Sequence, residues 1–350
     1  MKIFIVTQTF PPRVGGMQAL MNSIANGLSN LNYDVSVFPD HFFYKDKLNY
    51  KVYNTFSPKI TRSFLKKIKI YFKSNNDDIF ICDSWKSVSA VPKGKKIICF
   101  ALAQELLVRQ QKERKIQKAF NRCKYVVPIS NFTLSLINSK WLIERNKIKV
   151  INPTFSIEPK ILHKKKISKD SLCIFSLCRI EKRKGLSQVA YSLIRLNNFL
   201  PKFKWYIAGD GDAKEELFEI IKNSKIKKNV FFEGIISEDS KDLFFRKSDL
   251  FIMPSYQEGE SLEGYGITYS EAASYSVPSI SGVDGGVRDA VINNYTGWCI
   301  NPNNKREIDN AIIDSFNNHK KRLIFGKNAL NYFKKNHSSD RAFKKLVALF

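Results

Sequence analysis

The chain has 350 residues, 43% hydrophobic and 26% charged, enough for two domains of ordinary size with a solvated surface. Lys and Arg total 58 against 32 Asp and Glu, a formal net charge of +26, so the surface attracts anions: nucleic acid, anionic lipid or phosphorylated small molecules. A Lys-, Asn- and Ile-rich source genome accounts for that excess equally well, so local clusters carry more weight than the total.

No apolar run reaches the roughly 18 residues that cross a bilayer. The six cysteines show no CxxC pair and the four histidines no HExxH spacing, which sets aside a disulfide scaffold and a zinc site. Residues 3–6, soon followed by Pro11 and Pro12, are too short for the apolar core of a signal peptide and read as a first strand. The expected location is the cytoplasm, or the inner face of the cytoplasmic membrane.

In chain order, residues 2–7 form a short β-branched run, 9–16 a turn-rich loop, 17–31 a helix and 33–38 a second strand. That order opens a parallel α/β domain. Further strands are expected at 79–82, 96–100 and 124–129, with helices at 59–73, 107–120 and 133–139. Residues 158–171 are polar, basic and without periodicity, and the domain boundary is placed there. The alternation then restarts, with strands at 172–177, 204–208, 230–233, 250–254 and 278–281. Helices are expected at 185–196, 213–224, 237–246 and 266–273, and across 305–334 in more than one piece. Two consecutive α/β domains imply a cleft between them, where ligands usually bind.

Four segments carry candidate chemistry. Gly15-Gly16 lies between the first strand and helix, where missing Cβ atoms and a helix N-terminus suit an anion; it also reads as a plain turn. Arg179 to Gly185 follows the first strand of the second domain and offers four cations, suited to a diphosphate or simply a basic loop. Residues 258–271 (EGESLEGYGITYSE) place two carboxylates, Glu263 and Glu271, in a Gly-rich run after a strand. Such carboxylates accept hydrogen bonds from sugar or ribose hydroxyls, and when buried they need a ligand or a cation such as Arg179. A paired-carboxylate hydrolase competes with that reading. Gly285-Gly286 suits another backbone contact to a ligand, whereas Asp210-Gly211-Asp212 reads as a turn rather than a metal site.

Residues 59–73 (KITRSFLKKIKIYFK) hold six basic and no acidic residues, with Ile60, Phe64, Ile68 and Tyr71 or Phe72 at helical spacing. This is the pattern of an interfacial helix on anionic lipid, and also of a surface helix packed on its own domain. The cations at stake are Lys59, Arg62, Lys66, Lys67, Lys69 and Lys73. No aromatic stripe interleaves the basic clusters, so a specific nucleic-acid partner is not expected.

Taken together, Pro11-Pro12-x-x-Gly15-Gly16, Arg179 with Lys184, Ala208-Gly209-Asp210-Gly211, Pro254-Ser255 and Glu263-x7-Glu271 resemble the retaining glycosyltransferases of family 4, across most of the chain. The resemblance implies a GT-B fold: two Rossmann-like domains, 1–165 on the acceptor side and 166–335 for the nucleotide-sugar, with parallel sheets facing across a deep cleft. Residues 336–350 would form a helix packing back toward the first domain.

The resemblance further implies transfer of a hexose or N-acetylhexosamine from a nucleotide-diphosphate sugar, UDP favoured, to a lipid-linked or oligosaccharide acceptor in surface-glycan assembly. No cofactor and no metal are implied. Arg179, Lys184 and Glu263 would be catalytic. Gly15, Gly16, Gly234, Ile235, Tyr265, Gly266, Ile267, Thr268 and Glu271 would bind the donor, with Glu271 on the ribose and Glu263 near the sugar. One departure stands out: many members carry His-Gly where this chain has Leu102, leaving Gln104 and Glu105 as the polar side chains on the sugar side. A nucleotide-sugar-binding protein without turnover is the alternative that this departure keeps open.

Overall fold

The computed structural model describes residues 1–12, 15–40, 48–55, 58–107, 112–160 and 171–350. They divide into two compact units, residues 1–156 with 339–350, and residues 157–338. The boundary expected across 158–171 falls mainly on 161–170, outside the described residues.

The first unit runs β1 (Lys2–Val6), α1 (Gly16–Asn30), β2 (Asp34–Phe38), β3 (Lys51–Val52), α2 (Lys59–Lys73), β4 (Ile79–Cys82), β5 (Lys96–Ala101), α3 (Ala103–Leu106), α4 (Glu113–Asn121), β6 (Tyr125–Pro128) and α5 (Asn131–Lys140). Its described strands form a six-stranded sheet, all parallel, in the order β3-β2-β1-β4-β5-β6. Every residue of β4 is buried, as a parallel strand covered on both faces requires. Phe4 stacks between Phe38 and Phe80, with ring centroids 5.6 and 5.0 Å away, and so ties the three central strands together.

The second unit runs β7 (Leu172–Leu177), α6 (Leu186–Leu196), β8 (Phe203–Ala208), α7 (Lys214–Lys222), β9 (Val230–Gly234), α8 (Glu238–Lys247), β10 (Leu250–Met253), α9 (Ile267–Ser274), β11 (Ser279–Ser281), α10 (Val287–Ala290), β12 (Gly297–Cys299), α11 (Lys305–Asn317) and α12 (His319–Asn336). Its sheet, again parallel among the described residues, has the order β12-β11-β10-β7-β8-β9. Counted from its own first strand, each sheet therefore has the Rossmann order 3-2-1-4-5-6. That order reverses between β1 and β4, and between β7 and β10. Ligands of such sheets bind beyond the C-terminal strand ends at this reversal, because the two flanking loops leave there in opposite directions.

Helix α13 (Ser339–Val347) closes the chain on the first unit. Phe343 meets Phe155 edge-on at 4.9 Å, and Ser339 Oγ donates to the Phe155 carbonyl at 2.9 Å. A Cβ on Gly27, in the middle of α1, would overlap the Phe343 ring, which explains a residue that otherwise weakens a helix.

Two strands escaped the sequence reading: β3, with two residues, and β12, whose glycine start carries no apolar run. The helix expected over 107–120 divides differently. Its first residues after Leu107 lie outside the described residues, and the apolar face Ile116, Ala119 and Phe120 belongs to α4.

Candidate active site

The second unit's site is built where β7 and β10 part. After β7 the backbone passes Arg179 and Ile180 and makes one tight turn at Lys182–Lys184 before α6 begins. Gly185 joins turn to helix at φ 73°, and a Cβ there would run into the Pro254 carbonyl, so glycine is required twice over. The loop after β8 is fastened to the same segment. The Gly209 conformation, φ 122°, leaves no room for a Cβ beside the Cys178 carbonyl, and Ile180 N–H donates to the Asp210 carbonyl at 2.9 Å. Asp210 accepts from the Gly211 N–H at 3.0 Å and pairs with Lys214 at 3.3 Å, which is turn chemistry. Among the described residues no group of three or more His, Cys, Asp or Glu is placed to hold a metal ion.

The tight turn carries Arg183 and Lys184 inward and leaves Arg179 outside. Lys184 donates to Glu263 Oε2, Arg183 Nη1 lies 3.4 Å from the same oxygen, and all three side chains are buried or nearly so. Burial works to raise the Glu263 carboxyl, but the Lys184 and Arg183 charges outweigh it and hold the group below its ordinary value. Arg179 is 73% exposed and, among the described residues, forms an ion pair only with Glu181, at 3.3 Å. The expectation that Arg179 would neutralise the buried carboxylates is therefore corrected. It precedes the turn, and the residues after it do that work.

Glu263 sits on a loop pinned from three sides. Its carbonyl accepts the Gly286 N–H at 2.9 Å, and Gly285, at φ 72°, has no room for a Cβ against that carbonyl. The Gly285-Gly286 pair thus supports the loop, and its N–H at Gly286 is already used. Tyr265 and Tyr269 are buried; Tyr265 Oη shares a hydrogen bond with Ser270 Oγ at 2.7 Å, and Tyr269 donates to the Met253 carbonyl. Gly266, at φ 89°, is the N-cap of α9, so Ile267 and Thr268 open the helix with N–H groups that lack intrahelical partners. Glu271 lies one turn further along. Lys241 of α8 donates to its Oε1 at 2.7 Å. Gly234 ends β9 at φ 65° with open space around it, and Ile235 beside it is 82% exposed.

In the first unit, Gly15 has an extended backbone that any residue adopts, and a Cβ on Gly16 would meet nothing within 4 Å. Neither glycine is demanded by the turn itself. Leu102 caps α3 half-buried, and Gln104 is exposed. Burial pushes the Glu105 carboxyl up to about 7, opposed by Lys86 at 3.3 Å.

Helix α2 corrects another expectation. Lys66 is 2% exposed, because its ammonium donates to the Thr7 carbonyl at 3.0 Å and to Asp40 at 2.5 Å. Arg62 pairs with Asp40 at 3.3 Å, Lys69 donates to the Asn54 carbonyl at 2.7 Å, and Lys73 lies 4.3 Å from the Tyr53 ring centroid. These cations hold the helix to its own unit. Large apolar side chains face outward, Ile60 at 94%, Phe72 at 81%, and Phe64 and Tyr71 both at 65% exposure, beside the exposed Lys69 and Lys73.

Residues 158–332, half of the 350-residue chain, match the family "Glycosyl transferases group 1". The chain belongs to this family. An uncharacterized glycosyltransferase of Methanocaldococcus jannaschii is 25% identical over 395 residues, spanning 100% of this chain and 98% of that protein. A GDP-mannose-dependent alpha-(1-6)-phosphatidylinositol monomannoside mannosyltransferase of Mycolicibacterium smegmatis is 28% identical over 147 residues, 41% of this chain and 38% of its own length. HepE of Anabaena, solved in complex with UDP and glucose, shares the fold with a TM-score of 0.77 at 16% identity, over 99% of this chain and 98% of that one. The fold of this glycosyltransferase is accordingly GT-B, with two Rossmann-like units.

Two residues of this cluster were not singled out from sequence. Arg183 was visible only as part of the basic run, and the tight turn that aims it inward has no sequence marker beyond Gly185. Lys241 lies 30 residues before its partner on a different helix, so no local spacing announces it.

Proposed function

We propose that this glycosyltransferase moves a hexose or N-acetylhexosamine from a UDP-sugar to a lipid-linked or oligosaccharide acceptor of a surface glycan, with retention of anomeric configuration. The observation that carries the reading is the pairing of Glu263 with Lys184 and Arg183 at the β7/β10 reversal, with Glu271 one turn inside α9. In this reading Glu271 accepts from the ribose hydroxyls, and Gly234 and Ile235 flank the base. The diphosphate lies against Arg179, Lys184 and the N-terminus of α9, with backbone groups of Tyr265, Gly266, Ile267 and Thr268 beside phosphate and sugar.

As the bond from the anomeric carbon to the diphosphate breaks, negative charge grows on the leaving phosphate. Arg179 and Lys184 are fixed cations for that charge. The acceptor oxygen bonds to the anomeric carbon from the same face, and its proton passes to a phosphate oxygen of the leaving group. Glu263, kept ionised by Lys184, stands near the sugar, where its negative charge favours the positive character that develops there. The complex of HepE with UDP and glucose supports a UDP-sugar donor, whereas the mannosyltransferase depends on GDP-mannose; its phosphatidylinositol monomannoside substrate supports a lipid acceptor.

A panel of UDP-, GDP- and ADP-sugars tests the reading, scored for binding and for slow donor hydrolysis, with and without EDTA. UDP-sugars are expected to bind and to be hydrolysed, with no dependence on EDTA. Binding with no hydrolysis and no transfer would leave a nucleotide-sugar-binding protein, and binding by none would defeat the proposal.

The proposal includes contact with the inner face of an anionic membrane, through the outward apolar stripe of α2 and its exposed Lys69 and Lys73, with Lys66 withdrawn into the unit. Ile60, Phe64 and Phe72 recur every four or eight residues along one side, as an inserted face does. Vesicles containing phosphatidylglycerol should co-sediment the wild type and lose the triple variant Ile60→Ser/Phe64→Ser/Phe72→Ser. Retention of that variant by the vesicles would contradict the membrane contact.

A further inference from the structure

Glu271 has an ionic neighbour whose position no motif marks. Lys241 Nζ lies 2.7 Å from Glu271 Oε1 and 2.7 Å from Glu238 Oε2, one turn earlier on α8. The Glu271 side chain is 15% exposed and that of Lys241 22%, whereas Glu238 is 87% exposed. The ammonium is thus steered by a solvated carboxylate and matched to a buried one. Glu271 Oε2 accepts no hydrogen bond among the described residues. The result is a carboxylate with one oxygen fixed and one open, on the first turns of a helix whose N-terminus faces the strand ends.

Left alone, a carboxylate this buried would be costly to keep charged, and its χ angles would be free to turn either oxygen toward a ligand. An ammonium on Oε1 offsets part of that cost, although burial still leaves the carboxyl above its ordinary value, and it fixes which oxygen is presented. We infer that Lys241 is a positioning residue for nucleotide recognition: it locks Oε1 of Glu271 so that Oε2 is presented to the vicinal hydroxyls of a ribose. The inference rests on the reading that this site binds a nucleoside diphosphate.

The titratable groups that face Glu271 are Lys241 and Glu238 on α8 and Tyr275 beyond the end of α9. Burial raises the Glu271 carboxyl, and Lys241 is the group that opposes this. Removing Lys241 therefore moves the protonation of Glu271 to higher pH, toward neutrality.

The experiment compares affinities for UDP and 2′,3′-dideoxy-UDP, measured by calorimetry on the full chain. Hydrogen bonds to a charged acceptor are worth about tenfold or more in affinity, so the wild type should prefer UDP by about that ratio. The ratio should hold from pH 6 to 8, a range of about two units around neutrality. Lys241→Met should lower the ratio to about threefold at most, with a further decline as pH falls toward 6. Lys241→Gln, which keeps a donor without the charge, should show the same acid-side decline and serves if the Met variant does not fold. Lys241→Arg should restore most of the preference. A preference lost in Glu271→Gln but unchanged in both uncharged Lys241 variants would overturn the inference while leaving the nucleotide site intact. No preference for UDP in the wild type would overturn both.

Discussion

Lys184→Met is expected to cost the second unit about 3–5 kcal/mol of stability and to abolish detectable transfer. The substitution keeps the length of the side chain and removes the charge that Glu263 was buried against. Arg183 remains, but at 3.4 Å it is the weaker contact, and it is also engaged with Glu181 at 2.8 Å. Chemical denaturation of wild type and variant reads the stability loss directly. The pH dependence gives a second check.

The folded-state value of Glu263 is depressed, so its pairing contributes fully above the ordinary carboxylate range, near 4.3, and is lost as pH falls through the depressed folded value. The gap between wild type and Lys184→Met should therefore be wide at neutral pH and close on acidification. A gap that stayed constant down to about pH 3 would mean that the lost stability came from packing and not from the charge pair.

Arg179→Ala should behave in the opposite way. The side chain is 73% exposed, and its one ion pair among the described residues, with Glu181, is open to solvent on the Arg179 side. Such pairs contribute little, and the variant should unfold within about 0.5 kcal/mol of wild type. Transfer, in contrast, should fall about 10²- to 10³-fold, the typical loss when one fixed stabiliser of a developing oxyanion is removed. UDP affinity should fall less than turnover, because the charge on the leaving phosphate is largest in the transition state. Unchanged turnover in a correctly folded variant would remove Arg179 from the catalytic assignment and leave Lys184 alone there.

Much of this architecture is legible in the sequence because parallel strands buried on both faces are short continuous apolar runs. Residues 79–82 and 172–177 coincide with β4 and β7 for that reason, and residues 59–73 coincide with α2 because their 3.6-residue spacing marks it. The edge strands β3 and β12 are too short to show such a run. Glu263 and Glu271 are legible because carboxylates amid glycines, after a strand, have few purely structural uses. Their partners are not. Composition places Arg179, Arg183 and Lys184 in one basic run, and only the turn after Arg179 separates an outward cation from two inward ones. Lys66 shows the same limit: on a helical projection it is one more surface lysine, but the carbonyl of Thr7 and the carboxylate of Asp40 take it into the protein. Gly285-Gly286 resembles a ligand-contact pair in sequence, yet its geometry serves the Glu263 carbonyl. Long-range pairing of this kind depends on loop geometry that composition and periodicity do not encode.

The central claim is that a nucleoside diphosphate is held at the β7/β10 reversal of the second unit. Amide hydrogen exchange with and without saturating UDP tests it most directly. The claim predicts slowed exchange in two segments, residues 179–185 and 263–271, with the loss of protection in 263–271 when Glu271 is replaced by Gln. Exchange unchanged by UDP in both segments, with UDP bound to the folded protein, would contradict it.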